Sequence, residues 1–590
     1  MTGAGRAFRP GDVPPFDRSV FRSAEPVTRI GGGELGGKAR GLVQIRDLLA
    51  SELKASRFPG VTAYLPQMVV LGTEVFDAFV TRNTLLETEL TDLPDDRIAK
   101  LFLRAELPAE VVGDLRSLVE ESRTPLAVRS SSLLEDSLFR PFAGVYQTKM
   151  VPNNQPDADS RFRRLVEAIK FVCASTYFRA ARNYIRTTEK TIADEKMAVI
   201  IQEVVGVRHN ERFYPHLAGV GRSYNFFPSG GASPTDGVVN LALGLGKTIV
   251  DGGTSWIYSP ARPMAPPPFG SDREMLRGTQ TEFWAVNMGR PPAYDPTAET
   301  EYLVKANLAD ADYDGSITHT ASTYDAQRDR IVPGTGVAGP RVMDFASLLR
   351  YSEVGFGDLV RELLALGKHT LGEAVEIEFA ATIPAKQTAG TRVGVLQLRP
   401  MLVSESRVDL SEDELSSPDL LLASDRVMGN GALDTIRDVV YVKPESFEAR
   451  FTGRIAAELE TINRALADEG RHYLLVGFGR WGSSEPWLGI PVNWGQVAGA
   501  RVIVESTLPG MEVEASQGAH FFHNIISFGV LYLCVGHGPP SAASRHAVDW
   551  EWLGAQPPLA ETDHVRHIRL GKPVRVKVDG RSGRGAVWRP

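Results

Sequence analysis

Residues 376–379 read Glu-Ile-Glu-Phe and residues 397–400 read Gln-Leu-Arg-Pro, with Thr388, Gly390 and Gly394 between them. Polar and apolar residues alternate in both tetrads with the period of two that a half-buried strand shows. The alternation predicts two strands, with Glu376 and Glu378 on one face of the first and Gln397 and Arg399 on one face of the second. If the strands pair, two carboxylates, an amide oxygen and a guanidinium share a small patch. Mg²⁺ takes hard oxygen ligands of this kind, and a fixed Arg fork stabilises phosphate charge. A solvated sheet face with a cross-strand ion pair would use the same residues, so the weight of the patch depends on what precedes it.

Three further stretches bear on it. Gly31-Gly32-Gly33-Glu34-Leu35-Gly36-Gly37-Lys38 opens a helical pattern over 36–53, with Leu42, Ile45, Leu49 and Leu53 at helical spacing. Glycines let a backbone approach phosphates, and Lys38 adds a positive charge. The spacing nearly matches a P-loop, but Ala39 stands where the Mg²⁺-holding hydroxyl belongs, and at Gly246-Lys247-Thr248 the leading glycine is Leu241. Val128-Arg129-Ser130-Ser131-Ser132-Leu133-Leu134-Glu135-Asp136 places an Arg and three hydroxyls after a strand, a set suited to clamping triphosphate oxygens. The alternative there is a capped turn with Glu135 reaching back. Met197–Val205 reads as a buried strand ending in a short hinge.

Composition sets the frame. The 590 residues suggest three or four folding units, and 43% hydrophobic with 23% charged residues fits a soluble globular protein. A net charge of −7 argues against general nucleic-acid binding. Only two cysteines, Cys173 and Cys534, argue against a disulfide framework or a cysteine zinc site and fit a reducing cytoplasm. No apolar run reaches membrane-spanning length, and the N-terminus lacks the apolar core of a signal peptide. Residues 1–29 read as a flexible lead-in. The Ser- and acid-rich stretch 404–419 reads as the main linker, so 30–403 and 420–590 are expected as separate domains.

The order and spacing of GGK-x₂-GL, VRSS-x₃-ED-x₅-FAG, MAVIIQEVV, AGV-x₅-F-x-P, GLG-x₂-V-x-GG, EIEF and QLRP resemble the nucleotide-binding domain of phosphoenolpyruvate synthase and pyruvate phosphate dikinase; rifampicin phosphotransferases are similar. The resemblance covers residues 30–402. It implies an α+β, two-lobed ATP-grasp fold, with lobes roughly 30–190 and 191–403, followed by a smaller α+β C-terminal domain of unassigned fold. It further implies ATP and Mg²⁺ as cofactors, with phosphate contacts from Lys38 and Arg129 and an adenine hinge over Gln202, Glu203 and Val205. By the same resemblance Glu378 and Gln397 bind Mg²⁺ with Glu376 nearby, and Arg399 stabilises the transferring phosphoryl. The family's domain passes that group to a histidine and splits ATP to AMP, a transfer that depends on positioning and charge neutralisation.

The family's Thr-Ser-His carrier motif and its C-terminal barrel are not readable. The nearest string, Gly315-Ser316-Ile317-Thr318-His319-Thr320-Ala321, is read as strand. Beyond the linker, Gly477-Phe478-Gly479-Arg480-Trp481-Gly482-Ser483-Ser484 and Ser516–Asn524 are dense strings. His520 and His523 would share a helix face, and with Arg480 they form a candidate acceptor site; hydrogen-bonded histidines packed beside Phe521 and Phe522 are the alternative. The basic tail is expected as a charged edge strand with its turn at Asp579-Gly580. The expected activity is ATP-dependent phosphoryl transfer to an unidentified acceptor, with a separate phosphoryl-accepting protein as partner and neither nucleic acid nor membrane. A nucleotide sensor without turnover and an ATP-grasp ligase forming an acyl phosphate are the competing readings.

Overall fold

The two alternating tetrads lie in neighbouring strands, Ala374–Thr382 and Thr391–Met401. They belong to a computed structural model that describes residues 11–18, 25–85, 90, 93–133, 135, 144–186, 195–228, 231–265, 269–350, 355–384, 390–403, 408–509, 511, 519–536 and 547–590. Leu134, Asp136, Phe142 and Ala143 of the second motif, Thr388, residues 404–407 of the expected linker, most of the lead-in and Ser516–Gly518 lie outside the described residues. Contacts divide the chain into two units: Met1–Ser223 with Asp236–Ile249 and Thr254–Pro400, and Tyr224–Thr235 with Val250–Gly253 and Met401–Pro590. Two short segments of the nucleotide-type region thus belong to the C-terminal unit.

The first unit holds a six-stranded sheet in the order Trp256–Tyr258, Val238–Ala242, Leu217–Arg222, Ala374–Thr382, Thr391–Met401, Val61–Tyr64. One face buries Val375, Ile377, Phe379, Val393, Val395 and Leu398 against the helix Phe356–Leu371. The inward set changes from odd to even numbers between Val395 and Leu398. The strict period of two breaks at that point, and Leu396 joins Ala380, Ala218 and Val205 in a small apolar cluster of its own.

A second, five-stranded sheet runs Val27–Ile30, Met68–Leu71, Met197–Glu203, Leu126–Ser132, Thr148–Val151. Strand 61–64 thus joins the six-stranded sheet and strand 197–203 the five-stranded one, across the sequence cut expected at 190; the chain passes between these two sheets at 65–67, and at 204–206 it leaves the five-stranded sheet for Val207–His209 of a separate four-stranded sheet. Strand partnership is a long-range property that a linear division cannot see. His319, expected on a strand, lies in the run of turns after the short helix Leu308–Tyr313, whose start is closed by an Asn307–Asp310 capping box.

The helix Gly36–Ser51 packs against strand 126–132 at almost no distance. Gly36 has φ of 76°, and a Cβ there would stand 1.7 Å from the Ser131 carbonyl oxygen. Gly36→Ala is expected to cost several kcal/mol, because left-handed strain and overpacking act at one position; chemical denaturation of the purified variant checks this.

In the second unit a seven-stranded sheet runs Val427–Met428, Leu531–Val535, Ala500–Ser506, Tyr473–Phe478, Asp438–Val442, Val565–Arg569, Pro558–Glu561. The four strands 438–442, 473–478, 500–506 and 531–535 are mutually parallel. Its apolar core is shared with a four-stranded sheet through Leu421, Val576, Val578 and Val587. Arg575–Asp579, expected at an edge, is interior to that smaller sheet and pairs with Arg584–Trp588 across the turn after Asp579. The acid-rich stretch does more than connect: Ser411 caps a helical turn Glu412–Leu415, Leu415 packs with Trp588, and Glu414 pairs with Lys577 at 2.7 Å.

Candidate functional site

In the first unit Arg129 reaches from the five-stranded sheet to the six-stranded one. Its Nη1 donates to the Leu396 carbonyl at 2.7 Å and to Gln202 Oε1 at 3.2 Å, and its Nη2 donates to Gln397 Oε1 at 3.0 Å. Glu378 Oε2 stands 3.9 Å from the same Nη2. Glu378 and Gln397 therefore converge on one cationic group, and the hard oxygen pair expected for Mg²⁺ fits a cation in that place.

Glu376 plays a different part. It pairs in register with Arg222 across the antiparallel strands, and Arg222 Nε donates to Glu376 Oε2 at 2.6 Å. Arg399 Nε donates to Glu376 Oε1 at 2.7 Å, and its Nη2 also reaches that oxygen. Arg222, Glu376 and Arg399 are 0%, 1% and 1% exposed, so the three form a buried ion triad. Glu376 touches the guanidinium expected at the transferring phosphoryl and is itself closed off from solvent. Arg399 Nη2 lies 3.9 Å from Glu378 Oε1, which joins the triad to the Arg129 cluster. Arg222 was beyond sequence reasoning: the alternation of the 217–222 strand gives no sign that its terminal charge turns inward.

Lys38, on the glycine-led helix, has its Nζ 2.6 Å from Glu135 Oε1 and 3.3 Å from Ser130 Oγ. The three serines expected to clamp phosphate are all buried and committed to the protein. Ser130 donates to Glu135. Ser131 accepts from the Ala39 N–H and donates to the Leu35 carbonyl. Ser132 and Glu135 exchange reciprocal bonds at 3.1 Å, the capped-turn geometry. The hydroxyls lock the glycine loop to the strand, and the motif's charge is left to Arg129 and Lys38.

Of the hinge residues, Gln202 faces Arg129, whereas Glu203 turns the other way and accepts from Ser122 Oγ at 2.9 Å. Glu203, Val204 and Val205 line a cavity of about 650 Å³ with Tyr64, Pro66, Thr382 and Arg392, a volume in the range of small-ligand pockets. Lys38, Arg129, Glu378, Gln397 and Arg399 lie outside its lining. Thr382 and Glu378 nevertheless share one face of a single strand, four residues or about 13 Å apart at 3.3 Å per residue.

The C-terminal candidates lie in the second unit. Helix His520–Ser527 realises the predicted spacing, with His520 half-buried and His523 buried. Arg480 is buried and donates to the carbonyls of Gly252 and Gly253 at 3.3 and 3.4 Å, and Ser483 Oγ donates to Gly252 at 3.1 Å. Among the described residues, the group with metal-ligand spacing is instead Glu458, Asp563 and His564. There His564 Nδ1 contacts Glu458 Oε1 at 2.8 Å, and Glu458 Oε2 accepts from the His564 N–H and Thr562 Oγ1, so the carboxylate is already satisfied as a turn lock.

Glu505, at the end of strand 500–506, accepts from the Trp481 N–H at 2.9 Å, and burial pushes its carboxyl from 4.5 up to about 7. The folded form holds a proton that the unfolded chain has lost between these values, so stability falls as pH rises from about 4.5 to about 7 and is flat above. Glu505→Gln is expected to remove that fall, a gain of order 3 kcal/mol over the wild type near neutral pH and nothing near pH 4; urea titrations across that range measure it.

No curated protein matches the chain. Residues 33–417 match the family model described as "Pyruvate phosphate dikinase, AMP/ATP-binding domain", well over half of the 590 residues. The chain belongs to the pyruvate phosphate dikinase family through this AMP/ATP-binding domain.

Proposed function

We propose that this protein is an ATP-dependent phosphotransferase of the dikinase type, with an ATP-grasp nucleotide site. The observation that carries the proposal is the convergence of Arg129 on Gln202, Gln397 and Glu378 from two different sheets. The adenine occupies the hinge cavity and the triphosphate runs along the strand face toward Glu378, a span of about 13 Å that suits a nucleoside triphosphate. Lys38 and Arg129 exchange their protein contacts for phosphate oxygens. Glu378 and Gln397 hold Mg²⁺, whose charge neutralises the phosphates when bound. Arg399, oriented by Glu376, faces the phosphoryl in transfer, and the acceptor is a histidine by the family's chemistry.

Calorimetric titration of ATP into the full chain, with and without MgCl₂, tests the site. One saturable, Mg²⁺-dependent site weakened at least tenfold by Arg129→Ala is expected, from the loss of one charge-assisted contact set. Equal affinity in the variant would remove the reading. A sensor that binds without turnover draws on a single observation, the burial of Arg399 at 1% exposure; it predicts the same titration with no nucleotide product.

A further inference from the structure

Tyr441, Arg566 and Glu561 form a row across three neighbouring strands of the seven-stranded sheet, with Tyr441 opposite Arg566 and Arg566 opposite Glu561. Arg566 Nη2 donates to Glu561 at 2.9 Å, and its Nη1 donates to the Tyr441 hydroxyl at 3.3 Å and the Gly554 carbonyl at 3.5 Å. Just past Tyr441 the strand Asp438–Val442 ends, and the chain turns through Pro444 and Glu445. This strand runs parallel to Tyr473–Phe478, so Tyr441 and Phe478 both stand at the carboxyl edge, outside which open α/β sheets bind their ligands. The short helix Trp550–Ala555 lies against that edge. It brings the Trp550 ring to 6.1 Å from that of Tyr441 and 5.2 Å from that of Phe478, between centroids.

Between these elements lies a cavity of about 490 Å³, lined by Tyr441, Pro444, Glu445, Trp550, Glu551 and Arg566. Its size falls within the range of small-ligand sites, and its two rings give it an aromatic wall. Charge decides what that wall can hold. Arg566 is committed to Glu561, which also accepts from Lys443 at 3.0 Å. Glu445 and Glu551 line the same cavity, and neither takes part in an ion pair or a side-chain hydrogen bond among the described residues. Two cations thus stand among three carboxylates, and the two carboxylates without an ion pair are those at the cavity. Burial raises the Tyr441 pKa above its ordinary value, and Glu445 adds to the rise, so the Glu445 charge is felt at the ring. Both glutamates are exposed, and alone they would be an ordinary solvated surface. The indole and phenol faces add what such a surface lacks, a partner for a weakly hydrated cation.

We propose that this cavity binds a small organic cation, an ammonium group on an aliphatic body, with Trp550 and Tyr441 facing the charge and Glu445 and Glu551 neutralising it. An ammonium centre within about 6 Å of an aromatic centroid is attracted by the ring quadrupole, most strongly by that of Trp. The carboxylates add an attraction that salt screens. Rings and carboxylates together separate the cation from a neutral molecule of the same shape. The site stands on the second unit alone and does not require the nucleotide reading to hold.

The probe is choline chloride, titrated calorimetrically into the full chain at low salt, with dimethylbutanol, its uncharged carbon isostere, as the comparison. One saturable site is expected, with the neutral alcohol bound at least tenfold more weakly. Trp550→Leu should weaken choline about tenfold, and Trp550→Phe, which keeps a ring, should lose less. Because Trp550 packs on Tyr441 and Phe478, a second variant is needed that leaves the packing alone. Glu445→Gln with Glu551→Gln changes only exposed side chains and should weaken choline about threefold or more, with urea unfolding unchanged. A parallel titration with butylamine assigns a quaternary ammonium if choline binds more tightly, and a primary ammonium if butylamine does. The proposal is overturned if neither cation shows saturable binding in the millimolar range. It is equally overturned if the neutral alcohol binds as tightly as the cations, or if the folded double-glutamine protein binds them as the parent does.

Discussion

Replacing Glu378 and Gln397 together by alanine should lower Mg-ATP turnover by at least on the order of a hundredfold, the scale of losing one fixed electrostatic partner of the transition state. Both side chains converge on Arg129, at 3.9 and 3.0 Å. Their removal therefore takes away the oxygen pair that fits Mg²⁺ and the partners that hold Arg129 in place. The effect belongs to kcat more than to folding: Glu378 keeps 14% of its side chain exposed, and the apolar face of the same strand is untouched. Steady-state kinetics on a variant with unchanged circular dichroism checks it. Turnover within a few-fold of wild type would mean that the patch is the solvated ion pair that its residue types also allow.

The second large effect is on stability. Glu376→Ala leaves Arg222 and Arg399 buried, both charged and without the carboxylate that bridges them at 2.6 and 2.7 Å. Breaking a buried ion pair by removing one partner costs about 3–5 kcal/mol. Here two cations lose one anion, so the upper part of that range is expected in urea or guanidinium unfolding of the variant. Substituting all three members with Met, Leu and Met should recover most of the stability, because a well-packed apolar replacement of a buried triad is often neutral or better. Turnover should not recover, since Arg399 is then absent. Recovery of both would remove Arg399 from the account of the chemistry.

Much of the candidate site is legible in short-range pattern. The alternation of Glu376, Glu378, Gln397 and Arg399 correctly implies two neighbouring strands, and Leu42, Ile45 and Leu49 define the helix that carries Lys38. What pattern cannot supply is which neighbour a polar group finds. Glu376 and Glu378 look equivalent in sequence, but a strand that arrives 154 positions earlier brings Arg222 against Glu376 and leaves Glu378 toward Arg129. Ser130, Ser131 and Ser132 read equally well as a phosphate clamp or a capped turn, and the hydroxyls face the protein because Gly36 packs so closely on the strand that a Cβ there would stand 1.7 Å from the Ser131 carbonyl oxygen. The change of face near Leu396 was likewise invisible, since two outward residues in succession look like noise in an alternating run. In the C-terminal unit the strings around Arg480 and His520 were visible as strings. Their meeting at one sheet edge depends on parallel pairing across 438–535, which no local periodicity encodes.

The central claim is dikinase-type phosphoryl transfer, and the identity of the nucleotide product tests it most directly. The full chain is incubated with Mg-ATP, with and without cell extract as a source of acceptor, and AMP is resolved from ADP while acid-labile phosphate on protein is followed. The account predicts AMP together with acid-labile protein-bound phosphate, both lost in the Glu378→Ala/Gln397→Ala variant. ADP as the sole nucleotide product, or tight ATP binding with no product under either condition, would contradict it.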